Sequence, residues 1–206
     1  LPAVLDDNRK DRLAYLTEHA IKHLENDNGY FLLVEASQVD WAGHANDVGS
    51  AMAEMHDLAQ TMEYLREYVD THPDTLVVLT ADHSTGGLAI GAGGDYRWSP
   101  EYLHNMSASA RTIAATMVDE DMPGEYAAKE LGLSLTSEEL AMFDSVSNQD
   151  EETRYAAVKT FLDIKTNTGW TTTGHTGVDV EVFAFGAGAT SFNGQIDNTD
   201  IAKTIF

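Results

Sequence analysis

The chain has 206 residues, of which 43% are hydrophobic, and its 34 acidic and 12 basic residues give a formal net charge of −22. This composition predicts one globular domain with a sizeable core, and the charge disfavours nucleic acid and anionic membranes as partners. A phosphate-containing substrate would also be repelled unless bound cations reverse the local field. The lack of cysteine excludes disulfides and thiolate ligands, so any zinc must be bound by histidine nitrogen and carboxylate oxygen.

The first half of the chain alternates between helical and strand patterns. Apolar residues recur at three- and four-residue steps over 11–28 and 51–69, which predicts two amphipathic helices. Continuous apolar runs at 30–34 and 75–80 predict buried strands, and the second run is typical of a central parallel strand covered on both faces. Because this alternation is typical of α/β proteins, we expect a mainly parallel central sheet flanked by helices.

The residues from about 91 to 169 interrupt this alternation. The helices predicted there cover 100–121, the residues from a capping box at Thr136 to about 145, and about 151–164. We interpret this stretch as a helical insertion within one domain, because it contains nothing that resembles a flexible linker. The run at 181–186 then predicts a return to the central sheet.

Both ends of the chain favour an incomplete domain. Asn198 to Asp200 make a good helix start, yet only six residues follow them, and no strand precedes the first helix. We therefore expect this chain to be one piece of a longer protein. No apolar stretch approaches the length that spans a bilayer.

Side chains that bind metals gather near the ends of the predicted strands. They are Glu35, Asp40 and His44 after the first strand, Asp82 and His83 after the second, and His175 before the third. Sites in open α/β sheets form beyond the carboxyl ends of the strands, so we expect these groups to converge. Two histidines with one carboxylate form a common zinc-binding set, which Asp40, His44 and His175 provide.

The remaining ligands predict two further metal positions. Asp82 and His83 would make most of a second zinc site. Glu35 is an oxygen donor with no nitrogen ligand beside it, which suits magnesium. Taken singly, each group has a simpler interpretation: residues 35–44 fit a capped loop, Asp82 with His83 an exposed turn, and His175 a plain β-turn. Three such groups in one small domain favour the metal sites.

Three segments of the sequence resemble a known family. They read "FLLVEASQVDWAGHAND", "TLVVLTADHSTGGLAIG" and "WTTTGHTGVDVEVFAFG". In order and internal spacing they resemble the metal-binding segments in the C-terminal half of alkaline phosphatases, and the resemblance extends from the helix at 11–28 to the end of the chain. It implies that residues 1–206 form the C-terminal part of a single alkaline phosphatase-like domain from a bacterial member, marine or halophilic by its acidic surface.

The resemblance assigns roles to individual residues. Asp40, His44 and His175 match ligands of the first zinc, Asp82 and His83 match two ligands of the second, and Glu35 matches a ligand of the magnesium. Trp41 stands near the phosphate, at a position that varies in the family, and tryptophan there resembles marine bacterial members. The family's nucleophilic serine, a further aspartate and the phosphate-binding arginine lie upstream of this chain, so it contains no catalytic residue.

The resemblance implies hydrolysis of phosphate monoesters by two Zn²⁺ and one Mg²⁺ in the intact enzyme. It also implies that the N-terminal part of the same enzyme and a second copy, in a homodimer, are partners, and that the location is periplasmic or secreted. One alternative is a related enzyme that acts on phosphodiesters, phosphonates or sulfates. The other is a metal-binding module without catalysis, and we expect the isolated chain to be inactive.

Overall fold

A computed structural model describes residues 2–206. Its helices are α1 (Arg12–Leu24), α2 (Ser37–Ala45), α3 (Val48–Thr71), α4 (Ala110–Thr116), α5 (Pro123–Leu131), α6 (Ser137–Val146), α7 (Glu151–Thr166) and α8 (Asn198–Ile205). Its strands are β1 (Leu76–Thr80), β2 (Ser84–Thr85), β3 (Ala89–Ile90), β4 (Thr168–Gly169), β5 (His175–Thr176) and β6 (Val182–Gly186). Short 3-10 turns lie at Val4–Asp6, Pro100–Leu103, Met117–Asp119 and Ala189–Phe192.

The strands form three antiparallel pairs, β1 with β6, β2 with β5 and β3 with β4. The mainly parallel central sheet is therefore not confirmed within residues 2–206, and β1 is half-buried instead of covered on both faces. A continuous apolar run predicts an extended, shielded segment, but it carries no information about the direction of the neighbouring strand. The description that the structure supports is a helix-rich α/β fold with small sheets.

The predicted buried strand at 30–34 is wrong. This segment forms no strand, and the side chains of Phe31 and Leu33 are 57% and 81% exposed. A strand needs a second backbone to pair with its N–H and C=O groups, and none of the described segments pairs with this one. The sequence pattern correctly identifies apolar side chains at 30–34, but it contains no information about whether another strand pairs with them.

The region between 100 and 166 is mostly helical and has a core of its own. Phe143 is fully buried and packs edge-to-face on Phe161, with 5.2 Å between ring centroids. Ile113 of α4 and Leu162 of α7 are also fully buried in this cluster. Burial of each such side chain contributes about 1.5–3 kcal/mol to the stability of the fold. Most residues of the buried apolar cluster in the described chain lie in this region.

The helix boundaries in this region follow from local side-chain bonds. The capping box predicted at Thr136 is confirmed, because Thr136 and Glu139 exchange backbone and side-chain hydrogen bonds at the start of α6. The single helix predicted over 100–121 is wrong in its extent. Ser109 accepts a hydrogen bond from the Thr112 N–H and starts α4 as a separate helix.

A buried ion network joins α1 to α3. Arg12 donates to both carboxylate oxygens of Glu54, at 3.1 and 3.0 Å, and both side chains are more than 90% buried. Asp57 accepts from the Leu13 N–H at 3.2 Å, and burial raises the pKa of its carboxyl group. Removing one member of such a network leaves an unpaired buried charge, so the network fixes α3 against the first helix.

Within residues 2–206, no helix combines the length and apolar character needed to cross a bilayer.

Candidate metal centre

Helix α2 places two of the predicted ligands on one face. Asp40 and His44 are four residues apart, which puts them one above the other on a helix. Their side chains are half-buried, and His44 Nε2 lies 3.6 Å from Asp40 Oδ2. The helix ends at Ala45, and the left-handed backbone of the next residue, Asn46 (φ 51°), turns the chain toward α3.

His175 joins this pair from β5. Asp40, His44 and His175 each offer one ligand atom, and these atoms all lie within 4.8 Å of one another. Two imidazoles and a carboxylate match the donor set of zinc, and a spacing of this size is within reach of a single ion after small side-chain rotations. The structure therefore brings together the three residues predicted from sequence to share a metal.

The second predicted pair lies beside the first group. His83 stacks on His175 with ring centroids 3.5 Å apart, and Asp82 Oδ2 lies 3.4 Å from His83 Nε2. The Asp82 side chain is 88% exposed. Both residues thus border the three-residue cluster and remain open on the solvent side.

Glu35 and Trp41 occupy different surroundings. Glu35 lies outside the three-residue cluster and lines a small cavity with Arg12, Glu54 and Asp57. Trp41 directly follows Asp40 and is 65% exposed. Among the described residues, Glu35 therefore does not share a metal position with Asp40, His44 and His175. The Trp41 ring is exposed and accessible to a ligand.

The side chain of Thr85, which the sequence analysis missed, contacts two of the predicted ligands. Thr85 Oγ1 donates to Asp40 Oδ1 at 2.6 Å, and the same oxygen lies 3.1 Å from His83 Nδ1. Since the hydroxyl proton is used on Asp40, His83 Nδ1–H donates to Thr85 Oγ1, and His83 Nε2 keeps a free lone pair. Thr85 therefore links a ligand of the first predicted zinc to a ligand of the second.

His44 is oriented in the same way by a backbone group. Its Nδ1 lies 2.6 Å from the carbonyl oxygen of Thr173. A carbonyl only accepts, so Nδ1 carries the proton and Nε2 is left free on the side of Asp40. Such partners are typical of metal-binding histidines. Strand alternation places residues 83 and 85 on one side, which could have pointed to Thr85, whereas a backbone carbonyl leaves no signal in the sequence.

Two glycines permit the close approach of these segments. A Cβ atom at Gly43 would lie 3.1 Å from the Thr85 side chain. Gly86 has φ +81°, and a Cβ atom there would lie 2.7 Å from the Trp170 ring. A side chain at either position would push α2, β2 or the loop before β5 away from the centre.

The fold and this cluster define a helix-rich α/β protein with a candidate metal centre of two histidines and a carboxylate. The sequence model of the family described as alkaline phosphatase matches residues 2–206, so the chain belongs to the alkaline phosphatase family. This finding confirms the resemblance noted in the three sequence segments.

Individual relatives agree with this assignment. The chain is 40% identical to "Alkaline phosphatase 3" of Bacillus subtilis (strain 168) over 211 residues, which cover 97% of this chain and 45% of the relative. The crystal structure of a cold-active alkaline phosphatase from Shewanella sp. superposes with a TM-score of 0.93 at 43% identity, covering 100% of this chain and 52% of that one. The chain thus spans about half the length of the relatives it matches.

A more distant structure supports the fold alone. A mutant of TAB5 alkaline phosphatase, from an Antarctic bacterium, was solved with Mg bound, and it superposes with a TM-score of 0.61 at 23% identity. The superposition covers 100% of this chain and 43% of that one.

Proposed function

We propose that this chain supplies most of the metal ligands of an enzyme that hydrolyses phosphate monoesters. Asp40, His44 and His175 bind one Zn²⁺, and Asp82 with His83 contribute to a second. The observation that carries the proposal is the convergence of three ligand atoms within 4.8 Å, from two segments more than 130 residues apart, in a member of the alkaline phosphatase family.

The chemistry of the site follows from its charge. Zinc held by these residues would supply positive charge near developing oxyanions and would lower the pKa of a coordinated water to about 7. The chain itself is strongly acidic, so cations at this centre also offset the repulsion of an anionic substrate. Asp40 and His44 hold fixed positions on one helix, and Thr85 and Thr173 restrain them, so little reorganisation accompanies binding.

Two further residues complete the proposed site. Glu35 contributes to a magnesium site whose other ligands come from the partner segment described below. Trp41 contacts the substrate, since its ring is mostly exposed and adjoins Asp40. Neither assignment depends on the three-residue cluster.

The proposed partner is the N-terminal part of the same enzyme. The exposed apolar side chains of residues 30–34 form a surface that is costly to leave in water. The chain also matches only 45% of the Bacillus relative. The unmatched part of such a protein could therefore pack on the apolar surface at 30–34. We place residues 1–206 as the C-terminal part of one domain, with 91–169 as its helical insertion. Homodimer formation and a periplasmic or secreted location complete this proposal and rest on the resemblance.

Hydrolysis of an aryl phosphate in zinc and magnesium tests the function. We expect no turnover by the 206-residue chain alone, and turnover after mixing with the N-terminal half of the Shewanella alkaline phosphatase, which this chain does not cover. His44→Ala should abolish the reconstituted activity. Turnover by the chain alone, well above a His44→Ala control, would refute the proposal that the nucleophile comes from a different segment. Faster cleavage of an aryl phosphodiester, phosphonate or sulfate by the mixture would favour a related activity instead.

A further inference from the structure

Helix α7 carries three polar side chains on the face that contacts the segments around the candidate metal centre. Tyr155, Lys159 and Asp163 are spaced by four residues and therefore form one stripe along the helix, here called the α7 stripe. Tyr155 is 6% exposed, and the other two are half-buried. Other residues of the same helix, Val158 and Leu162, are fully buried in the apolar core.

Two members of the stripe bind the junction between α2 and α3. The Tyr155 hydroxyl donates to Asp47 Oδ2 at 3.1 Å, and Asp47 also caps α3 by accepting from the Ser50 N–H at 3.0 Å. Burial raises the pKa of Tyr155, so its hydroxyl remains a donor. Lys159 Nζ donates to the carbonyl oxygen of Ala45, the residue that follows the ligand His44.

The third member binds the loop that leads to His175. Asp163 Oδ1 accepts from Trp170 Nε1 at 3.1 Å, and the Trp170 ring packs on Gly86. Gly86 in turn fixes this loop through its own backbone, accepting from the Thr171 N–H and donating to the carbonyl oxygen of Gly174. The same loop presents the Thr173 carbonyl to His44.

These contacts form a continuous connection from the helical core to both ligand-bearing segments. Half-buried Lys and Asp side chains are costly unless each finds a partner, and here the partners are the backbone and side chains that surround the ligands. An apolar stripe at the same positions would fill this space and could pack α7 against α2 as tightly. It would not define where the carbonyl of Ala45 and the indole of Trp170 must lie.

We propose that the α7 stripe is a positioning device for the metal centre: Tyr155 and Lys159 fix the end of α2, and Asp163 fixes the loop that carries His175. This inference rests on the proposed metal centre and adds residues that do not touch the metal. Helix α7 thereby couples the packing of the helical region to the distance between His44 and His175.

Zinc titration calorimetry on the 206-residue chain tests the proposal with Lys159→Met. Methionine keeps the length and apolar stem of the side chain but removes the bond to Ala45. The matched control is Lys165→Met on the same helix, which removes a salt bridge to Glu139 and no contact to the stripe's partners. We expect zinc affinity to fall about tenfold in Lys159→Met and to change less than about twofold in Lys165→Met, as for other residues that orient metal ligands.

Free energies of unfolding in chelator separate positioning from general stability. A merely structural role would lower the stability of Lys159→Met in chelator and leave the zinc affinity of the folded protein unchanged, which would overturn the proposal. Tyr155→Phe, which deletes one hydroxyl and keeps the ring, provides a second test if Lys159→Met does not fold. We expect it to weaken zinc binding about threefold or more, and unchanged affinity would likewise overturn the proposal.

His44→Ala distinguishes failure of this inference from failure of the proposed function. If His44→Ala loses zinc binding while both stripe variants bind as the wild type does, the centre exists and the stripe does not position it. If His44→Ala binds zinc as the wild type does, the centre itself is refuted, and the stripe has no metal to position.

Discussion

The helical region at 100–166 and the strand-bearing segments around the metal centre differ in how they are covered. Phe143, Ile113 and Leu162 in the helical region are fully buried by neighbours within the same region. By contrast, Phe31 and Leu33 in the segment before α2 are exposed, and Phe183 on β6 is 54% exposed. The first region is packed by its own residues, whereas the second presents apolar surface outward.

This difference is consistent with the proposal that the chain forms the three-residue cluster while further residues of the site come from another segment. The residues of the cluster lie on α2 and β5, and polar contacts from α7 that are buried or partly buried hold the end of α2 and the loop before β5. Apolar side chains elsewhere in the strand-bearing segments, such as Phe31 and Phe183, are more than half exposed. The candidate metal centre therefore lies between a packed region and a region with exposed apolar side chains.

Truncating one side chain in each region gives the largest expected contrast. Phe143→Ala removes a fully buried ring and leaves a cavity, so we expect a loss of about 3–5 kcal/mol in the free energy of unfolding. Leu33→Ala, at a side chain that is 81% exposed, should change it by less than about 0.5 kcal/mol. Guanidinium unfolding in chelator measures both variants.

Equal losses at the two positions would show that residues 30–34 are packed in solution, and the contrast between the regions would then be wrong. If the N-terminal half of the enzyme covers these residues, Leu33→Ala should become destabilising in the reconstituted mixture.

Substituting Thr85 tests how the cluster is oriented. Thr85→Val keeps the shape of the side chain but removes the hydroxyl that donates to Asp40 and accepts from His83. We expect zinc affinity to fall about 10- to 100-fold, in keeping with the loss of other groups that orient metal ligands. Thr85→Ser, which retains the hydroxyl, should restore most of the affinity. An unchanged isotherm for Thr85→Val would mean that this hydroxyl does not orient the ligands.

The titration of Asp163, which lies where the two regions meet, should change the free energy of unfolding less than the substitutions above. Burial raises the pKa of Asp163 to about 6, with the nearby Asp47 acting in the same direction, while the Trp170 N–H and Lys159 oppose the shift. Because the folded pKa exceeds the unfolded value near 3.8, the folded state binds more protons between these values, and stability falls as pH rises through this window. Above about pH 6 the penalty is constant.

Asp163→Asn removes this titration while keeping an acceptor for Trp170. We expect the variant to gain about 1 kcal/mol relative to the wild type between pH 4 and pH 7, a modest value because the carboxyl group is only half-buried and solvent screens it. Thermal unfolding in chelator across this range measures the difference. A stability difference independent of pH would show that Asp163 does not titrate in this window.

Local chemistry in the sequence predicted much of the helical structure and of the site. The capping box at Thr136 and the helical spacing that became α1, α3 and α7 depend on residues close in sequence. Asp40 and His44 were predicted as ligands by residue type, but the helix α2 that carries them was not predicted. The residue types at the strand ends and the family resemblance both grouped His175 with them, and the structure brings the three together.

The errors arose where structure depends on distant partners. Residues 30–34 have a strand composition but no pairing backbone within residues 2–206, and the direction of β1 is set by β6, about one hundred residues away. The Thr173 carbonyl that orients His44 is a backbone group and could not be recognised from residue type. Single-sequence patterns report side-chain chemistry, whereas these features depend on which segments meet.

Zinc titration of the wild-type chain and of its histidine variants tests the central claim most directly, that Asp40, His44 and His175 share one divalent cation. The account predicts zinc binding to the wild type that weakens at least about tenfold in both His44→Ala and His175→Ala. His104→Ala, at an exposed histidine outside the cluster, should bind zinc as the wild type does. Identical isotherms for the wild type, His44→Ala and His175→Ala would contradict the account.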